Sequence, residues 1–541
     1  MLYTKKQTRR NVMKMFKRSL CFILVLCFVA AVFVGCGKKN EENKGTEAPT
    51  GGNNVTPEQT QRPTNVYGEE SFTGVFDAND MDFENEEVTV LIRQFIHNSR
   101  EWYKESPEDE LDEAIAMRNS AVADELNLDV QFQWVPSNGN DYTAYTQLFH
   151  DTVTSDITNK FHYYDISANF GYPTTYIAIR DFTTNLRDKE LFPYFNFDLP
   201  CWNQAIVNNT TFNDQLFYVA GDINLSMFDA AMVVWHNKTL YDENKEPTDP
   251  ENIQLLALEG KWTYDELHRW TSTFFEDTNG QQGKQSNDTY ALMASASEPC
   301  PRDAFPYAWE LEFVIENPDK THEFNIIGND KVETALTRYR TLVTGEGTVD
   351  NWDAANFAAG NAMFFMERIY SGYGANMAIR EMNDKYGLLP MPKYDTLQEQ
   401  YATTAQDYYT LMFVLDHAAS PVTTKGEAVS AYLQFATEES YTGVRGYYFN
   451  RIIKPKFFGT DDSEGTVTNS VALFDIIVAN IKFDYCYIYS PQLADINHLW
   501  RSASHPNSTG SFESAFRAKQ DAFEAAIKST DAWLGLRSDE E

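Results

Sequence analysis

Basic side chains, cysteine and histidine are all scarce in this 541-residue chain, and each shortage removes a class of function. Lys and Arg number 44 against 79 Asp and Glu, a formal net charge of −35. So negative a surface repels phosphate backbones, which argues against nucleic-acid binding and suits a chain that stays soluble beside a membrane. Of the six cysteines, Cys21 and Cys27 lie in an apolar N-terminal run and Cys36 ends it, leaving Cys201, Cys300 and Cys486. Three thiols cannot all pair, and none has CxxC or zinc-ligand spacing, so no disulfide framework is expected. The nine histidines are scattered without metal-ligand spacing. GxSxG, HExxH, the Walker loop and a GxGxxG turn after a strand are all missing. The expectation is a protein without catalytic residues, metal or cofactor. Two of the many acids can still meet as a glycosidase pair, but no pair stands out.

What is present begins with the leader. Residues 1–18 are basic and without acids, and Ser19 to Gly35 is almost wholly apolar. That pattern matches a secretory signal and falls slightly short of the about 20 apolar residues of a membrane span. The run ends Phe33-Val34-Gly35-Cys36, similar to a bacterial lipobox, with Phe33 where leucine is usual. Residues 1–35 are therefore read as a lipoprotein signal peptide, with Cys36 lipidated; an uncleaved anchor helix is the alternative. Thr8 to Lys14 is faintly like a twin-arginine motif, and Met13 or Met15 is an alternative start. Lys38 to Glu70 is rich in Asn, Glu, Gly, Thr and Pro, so residues 36–84 read as a lipidated cysteine and solvated tether. The acidic run Asp77 to Glu87 reads as solvated rather than as a cation site.

The chain as a whole is 43% hydrophobic and 14% aromatic, enough for large cores with rings left over for a cleft. Strands are expected at Glu87–Arg93, Leu128–Val135, Tyr164–Ala168, Ala230–Trp235, Ala362–Met366, Tyr386–Pro392 and Tyr409–Leu415. Helices are expected at Glu110–Asn127, Tyr142–Thr154, Thr263–Phe275 and Glu427–Glu438, the third opened by a capping box of Thr263 and Glu266. Alternating strands and helices imply an α/β fold with parallel sheets, whose ligands sit beyond the carboxyl ends of the strands.

Several segments resemble one family. Leu216 to Asp222 (LFYVAGD), Val234 to Tyr241 (VWHNKTLY), Gly260 to Leu267 (GKWTYDEL), Gly360 to Phe364 (GNAMF) and Leu389 to Asp395 (LPMPKYD), with Gln398 and Tyr401, occur in order. Together with the lipobox and tether they resemble the family 1 extracellular solute-binding proteins of ABC transporters, of the carbohydrate type. The resemblance spans Glu87 to about Tyr487 and is poorest beyond Trp500. It implies a two-lobed periplasmic-binding-protein type II fold with hinge strands between the lobes. The N-terminal lobe is placed at 85–230 and 405–440, the C-terminal lobe at 231–404 and 441–541. It also implies a monomer on the outer face of the cytoplasmic membrane, taking a carbohydrate to permease subunits, and closure of the lobes over ligand.

A sugar offers an apolar face to rings and hydroxyls to polar groups. Loops matching the family's ligand contacts give the candidates Gln94, Asn169, Phe170, Tyr172, Glu298, Tyr307, Trp309, Arg368, Tyr370 and Asp407. Each also has a structural reading: Trp309 and Tyr370 as packing, Glu298 as a cap or ion-pair partner, Asp407 as an orderer of the hinge. Trp262 reads as core, and Lys393-Tyr394 as a surface loop. A peptide or polyamine in the same fold, a surface glycan-active enzyme and a sensing lipoprotein are the other functions weighed.

Overall fold

The computed structural model describes residues 76–78, 81–94, 100–136, 142–171, 174–175, 182–295, 299–372, 378–418, 424–454 and 466–537. All belong to the compact unit Arg62–Glu541. The leader, Cys36 and most of the tether lie outside the described residues. No helix among the described residues is long and apolar enough to cross a membrane.

The two main sheets use β1 (Glu86–Arg93), β2 (Leu128–Val135), β3 (Ile166–Phe170), β4 (Met232–Asn237), β5 (Thr289–Met293), β6 (Thr348–Val349), β7 (Ala362–Arg368), β8 (Tyr386–Leu389) and β9 (Thr410–Val414). The first sheet runs β9-β3-β1-β2 and the second β6-β5-β7-β4-β8. In the first, β1 lies parallel to β2 and β3, while β9 joins antiparallel to β3. Val88, Val90, Leu91 and Ile92 of β1 are all buried, as expected of a central parallel strand covered on both faces.

Helix α1 (Glu110–Leu126) starts where the Asp109 carboxylate accepts from the amides of Leu111 and Asp112. It stops at Asn127, in the left-handed region at φ 49°, a conformation asparagine tolerates better than most residues. The chain therefore turns directly into β2. Helix α2 (Tyr142–Thr158) then leads to β3.

In the second lobe, α3 (Tyr264–Thr273) corrects one expectation: Thr263 makes no side-chain cap. Backbone bonds pin this helix start instead, Tyr264 N to Lys393 O at 2.8 Å and Lys393 N to Trp262 O at 3.1 Å. Lys393 is accordingly buried rather than on a surface loop, its ammonium 5.5 Å from the Tyr401 ring. Trp262 is core, as expected. Helices α4 (Pro299–Ala308) and α5 (Asp330–Thr344) complete this middle part.

The chain passes between the sheets next to two paired segments: Ala231 bridges Ala405, and Gln406 N donates to Ala230 O at 2.9 Å. A third passage is helical. It leaves α6 (Lys425–Glu439) through the π-helical turns Ser440–Val444 and Tyr448–Ile453 and reaches α7 (Thr466–Ala479). Ser470 of α7 accepts from Gln254 at 2.7 Å and from Leu388 N of β8, so α7 belongs to the second lobe. The C-terminal stretch continues there as α8 (Ile496–Ser504), α9 (Phe512–Arg517) and α10 (Gln520–Trp533). Asp531 of α10 is fully buried, accepting from His322 Nδ1 at 2.7 Å and Arg537 Nε at 3.1 Å. Cys201 and Cys486 are buried and free.

Candidate functional site

β1 and β3 end side by side at Arg93 and Phe170, and β9 begins opposite them. That is the edge at which open parallel sheets bind ligands. Gly171 follows β3 directly, and its N–H donates to Tyr409 O at 3.0 Å. A Cβ there would sit 3.3 Å from the Tyr409 ring, so the residue has to be glycine or the ring has to give way. Beside it opens a cavity of about 170 Å³, lined among others by Gly171, Asp407, Tyr409, Tyr487, Asn497 and Arg501. Gly171 and Tyr409 come from the first lobe, Asp407 from the hinge passage, and the last three from the C-terminal stretch.

The polar groups are organised around Arg501 on α8. Its Nε donates to Asp303 Oδ1 at 2.7 Å, a second bond joins Nη2 to the same carboxylate, and Nη2 also reaches Asp407 Oδ2 at 3.3 Å. Two-point pairing of this kind fixes the plane of the guanidinium. Burial pushes the Asp407 carboxyl up, with Arg501 opposing that shift and Asp303 adding to it. Arg501 is held well above its ordinary value because the two carboxylates outweigh its burial. Tyr487 donates its hydroxyl to Asp303 at 3.2 Å and accepts from Asp407 N at 3.1 Å. Its ring lies 5.1 Å from that of Tyr307. The result is a rigid set of donors, acceptors and phenol rings, with Asp407 still 21% exposed towards the cavity.

A second row of groups crosses the hinge nearby. The Arg93 guanidinium stacks 3.3 Å from the Phe170 ring centre and 4.4 Å from that of Tyr145. Phe170 packs 6.3 Å from Tyr408, and the Arg368 guanidinium sits 5.1 Å from both Tyr408 and Trp352. Arg368 is oriented by Glu367 at 2.6 Å and Gln406 at 2.9 Å. Cations and rings thus alternate from one lobe to the other.

Of the sequence candidates, Asp407 lines the cavity, and Phe170 immediately precedes Gly171, which does. Phe170 is itself buried under Arg93, and Arg368 stands across the hinge from it. Asn169 is buried, taking a hydrogen bond from the Tyr145 hydroxyl on Oδ1, while its Nδ2 has no hydrogen-bond partner. Tyr307 is buried one layer behind the cavity, donating to Asn497 at 2.9 Å. Trp309 is 0% exposed, its indole N–H on Pro392 O at 3.1 Å, and is core rather than a cleft ring. Tyr370 is half-buried in the short turn Ile369–Gly372. Gln94 is exposed just beyond β1, with its N–H on Val135 O. Tyr172 and Glu298 lie outside the described residues.

Sequence reasoning missed Asn497, Arg501, Tyr487 and Asp303. One signal was there: Asn497 and Arg501, four apart on α8, share a polar face that flanks the apolar one of Ile496, Leu499 and Trp500.

No protein-family profile matches the chain, and no curated protein does either. Solved structures do. The sugar-binding protein MalE of Xanthomonas citri aligns at a TM-score of 0.53 and 11% identity, over 84% of this chain and 100% of that one. The ABC substrate-binding protein Lmo0181 of Listeria monocytogenes, solved with cycloalternan, gives 0.49 and 13%, over 82% and 100%. Maltose-bound MalE3 of T. maritima gives 0.47 and 13%, over 81% and 99%. At these identities the likeness concerns the fold, and the first match establishes it: two α/β lobes of the periplasmic-binding-protein kind, joined by hinge segments.

Proposed function

We propose that this chain is a membrane-anchored extracellular solute-binding protein that captures a carbohydrate between its lobes and delivers it to an ABC transporter permease. The observation behind the reading is the cavity at the hinge. There Arg501, Asp407 and Asn497 offer hydrogen bonds and Tyr409 and Tyr487 offer rings, from both lobes and the passage joining them. Vicinal hydroxyls suit a fixed guanidinium and carboxylate, and the C–H face of a pyranose suits a phenol ring. The matched MalE of Xanthomonas citri, named as a sugar-binding protein, shares this fold.

Contacts to both lobes are what let a ligand shift an open–closed equilibrium. Of the carboxylates that line the cavity, Asp407 and Asp495, Asp407 is paired with Arg501. Binding without turnover is the chemistry proposed. Anchoring follows from the lipobox at Cys36: the thiol carries a diacylglycerol and the tether lets the body stand off the membrane.

Two experiments test this. A thermal-shift screen of the body from Arg62 onward against mono- and oligosaccharides is expected to raise Tm for at least one sugar. No shift with any sugar, together with a shift by a peptide or polyamine, would move the ligand to that class. Metabolic labelling with a palmitate analogue is expected to tag the full chain but not Cys36→Ala; labelling of both would remove the anchor.

A further inference from the structure

We propose that the groove between α1 and β2 is a second carbohydrate site, one that takes a neutral glycan chain by ring stacking outside the hinge cleft. β2 is the edge of its sheet, paired only with β1 among the described strands. Edge strands usually carry charge or are covered, because an exposed apolar edge invites aggregation. Here the edge carries Trp134, 38% exposed, and Phe132. Tyr103 lies over them, its ring 4.9 Å from Phe132 at 10° and 5.7 Å from Trp134 at 47°. Three rings thus form one wall of a groove of about 500 Å³, which α1 bounds on the other side. That volume is in the range of small-molecule sites.

The rim decides the ligand. Glu105, Ser120 and Gln131 line it with a carboxylate, a hydroxyl and an amide, groups that bond sugar hydroxyls. The one ammonium there, Lys104, is held by Glu108 at 2.8 Å and Asp112 at 3.0 Å, so it is not offered to a phosphate or sulfate. With the chain at −35, a polyanion is repelled and an uncharged hydroxyl-rich chain is not. No residue of this groove lines the cavity at Arg501, so the inference stands apart from the cleft reading.

Calorimetric titration of the whole chain and of Trp134→Ala with maltoheptaose, cellohexaose and xylohexaose tests it. At least one oligosaccharide is expected to show a weaker binding event that Trp134→Ala reduces tenfold or more and Trp134→Tyr largely restores. Any tighter event at the hinge cleft is expected to be unchanged. A weak event lost in Trp134→Ala upholds the groove even where no tight event exists, which separates it from the cleft reading. Identical titrations of both chains with all three sugars would overturn the inference. So would sedimentation showing Trp134-dependent self-association with no sugar effect, which assigns the face to a second copy.

Discussion

The carboxylate of Glu101 accepts a hydrogen bond from the backbone N–H of Ser226 at 2.6 Å. The Ser226 hydroxyl adds a second at 3.1 Å, and the Thr410 hydroxyl donates to the same carboxylate. Ser226 precedes the first passage between lobes and Thr410 follows the second, so one side chain from a third segment ties both. Glu101 is only 1% exposed, and burial pushes its carboxyl up to about 8; the three hydrogen bonds oppose the shift and Asp229 adds to it.

Stability should therefore depend on pH through this residue. Its unfolded carboxyl titrates near 4.5 and its folded one near 8, so the folded state holds the extra proton between those values. Stability is highest on the acid side of that window, falls as pH rises through it and levels off above. Glu101→Gln keeps an acceptor for the Ser226 N–H and cannot ionise; its amide NH2 then faces the Ser226 and Thr410 hydroxyls, which rotate to accept from it. Urea unfolding from pH 5 to 9 is expected to show a flatter profile for it, with a gain of at most about 5 kcal/mol above pH 8. The same slope in both chains would place the pH dependence elsewhere.

Removing Arg501 leaves two acids facing each other beside the cavity. Arg501→Ala is expected to cost about 3–5 kcal/mol, the usual penalty for orphaning buried charges, and to abolish ligand binding. Because burial already raises the Asp407 carboxyl, part of that loss should return at acid pH, where it takes up a proton. Asp407→Asn, which leaves the Asp303 pair intact, should lower Tm less. Denaturation midpoints of the two variants at pH 5 and 7.5 check the order.

Gly171 is a probe of the cavity rather than of the fold. Gly171→Ala brings a methyl to 3.3 Å from the Tyr409 ring. The ring has to move by a few tenths of an ångström, so stability should change by less than about 1 kcal/mol while affinity for a cleft ligand drops several-fold. An unaltered affinity would mean that ligand does not touch Tyr409.

Asp531 anchors the C-terminal helix. Asp531→Ala strands the buried His322 donor and the partly exposed Arg537, with an expected cost of about 3 kcal/mol. Hydrogen exchange should then rise first across α10, ahead of β1. Uniform loss of protection over the whole chain would show that α10 unfolds only with the core.

The strands were legible because their cause is local. Val88-Thr89-Val90-Leu91-Ile92 is apolar and β-branched whatever it packs against, and β1 falls within one residue of the expected span. Helix ends were readable only where the cap is local too. Asp109 caps α1 with its own side chain, whereas Thr263 gave way to backbone bonds from Lys393, 130 residues further on. Ring residues were the poorest guide to the site. Trp309 and Tyr307 follow the right strand, yet the packing of α4 against α8 turns them away from the cavity as core and support.

By itself the sequence determined the leader pattern with its cysteine, the acidic balance, and the alternation of strands and helices that leads to two α/β lobes. Hydrophobicity, charge and local propensity act over a few residues and need no knowledge of where the chain returns. Only the tertiary structure decided which side chains face one another across the hinge. Asp303, Asp407 and Arg501 come from three separated segments, and Glu101 meets Ser226 and Thr410 from a fourth. Each such contact depends on how whole lobes pack, and no short stretch of sequence encodes that.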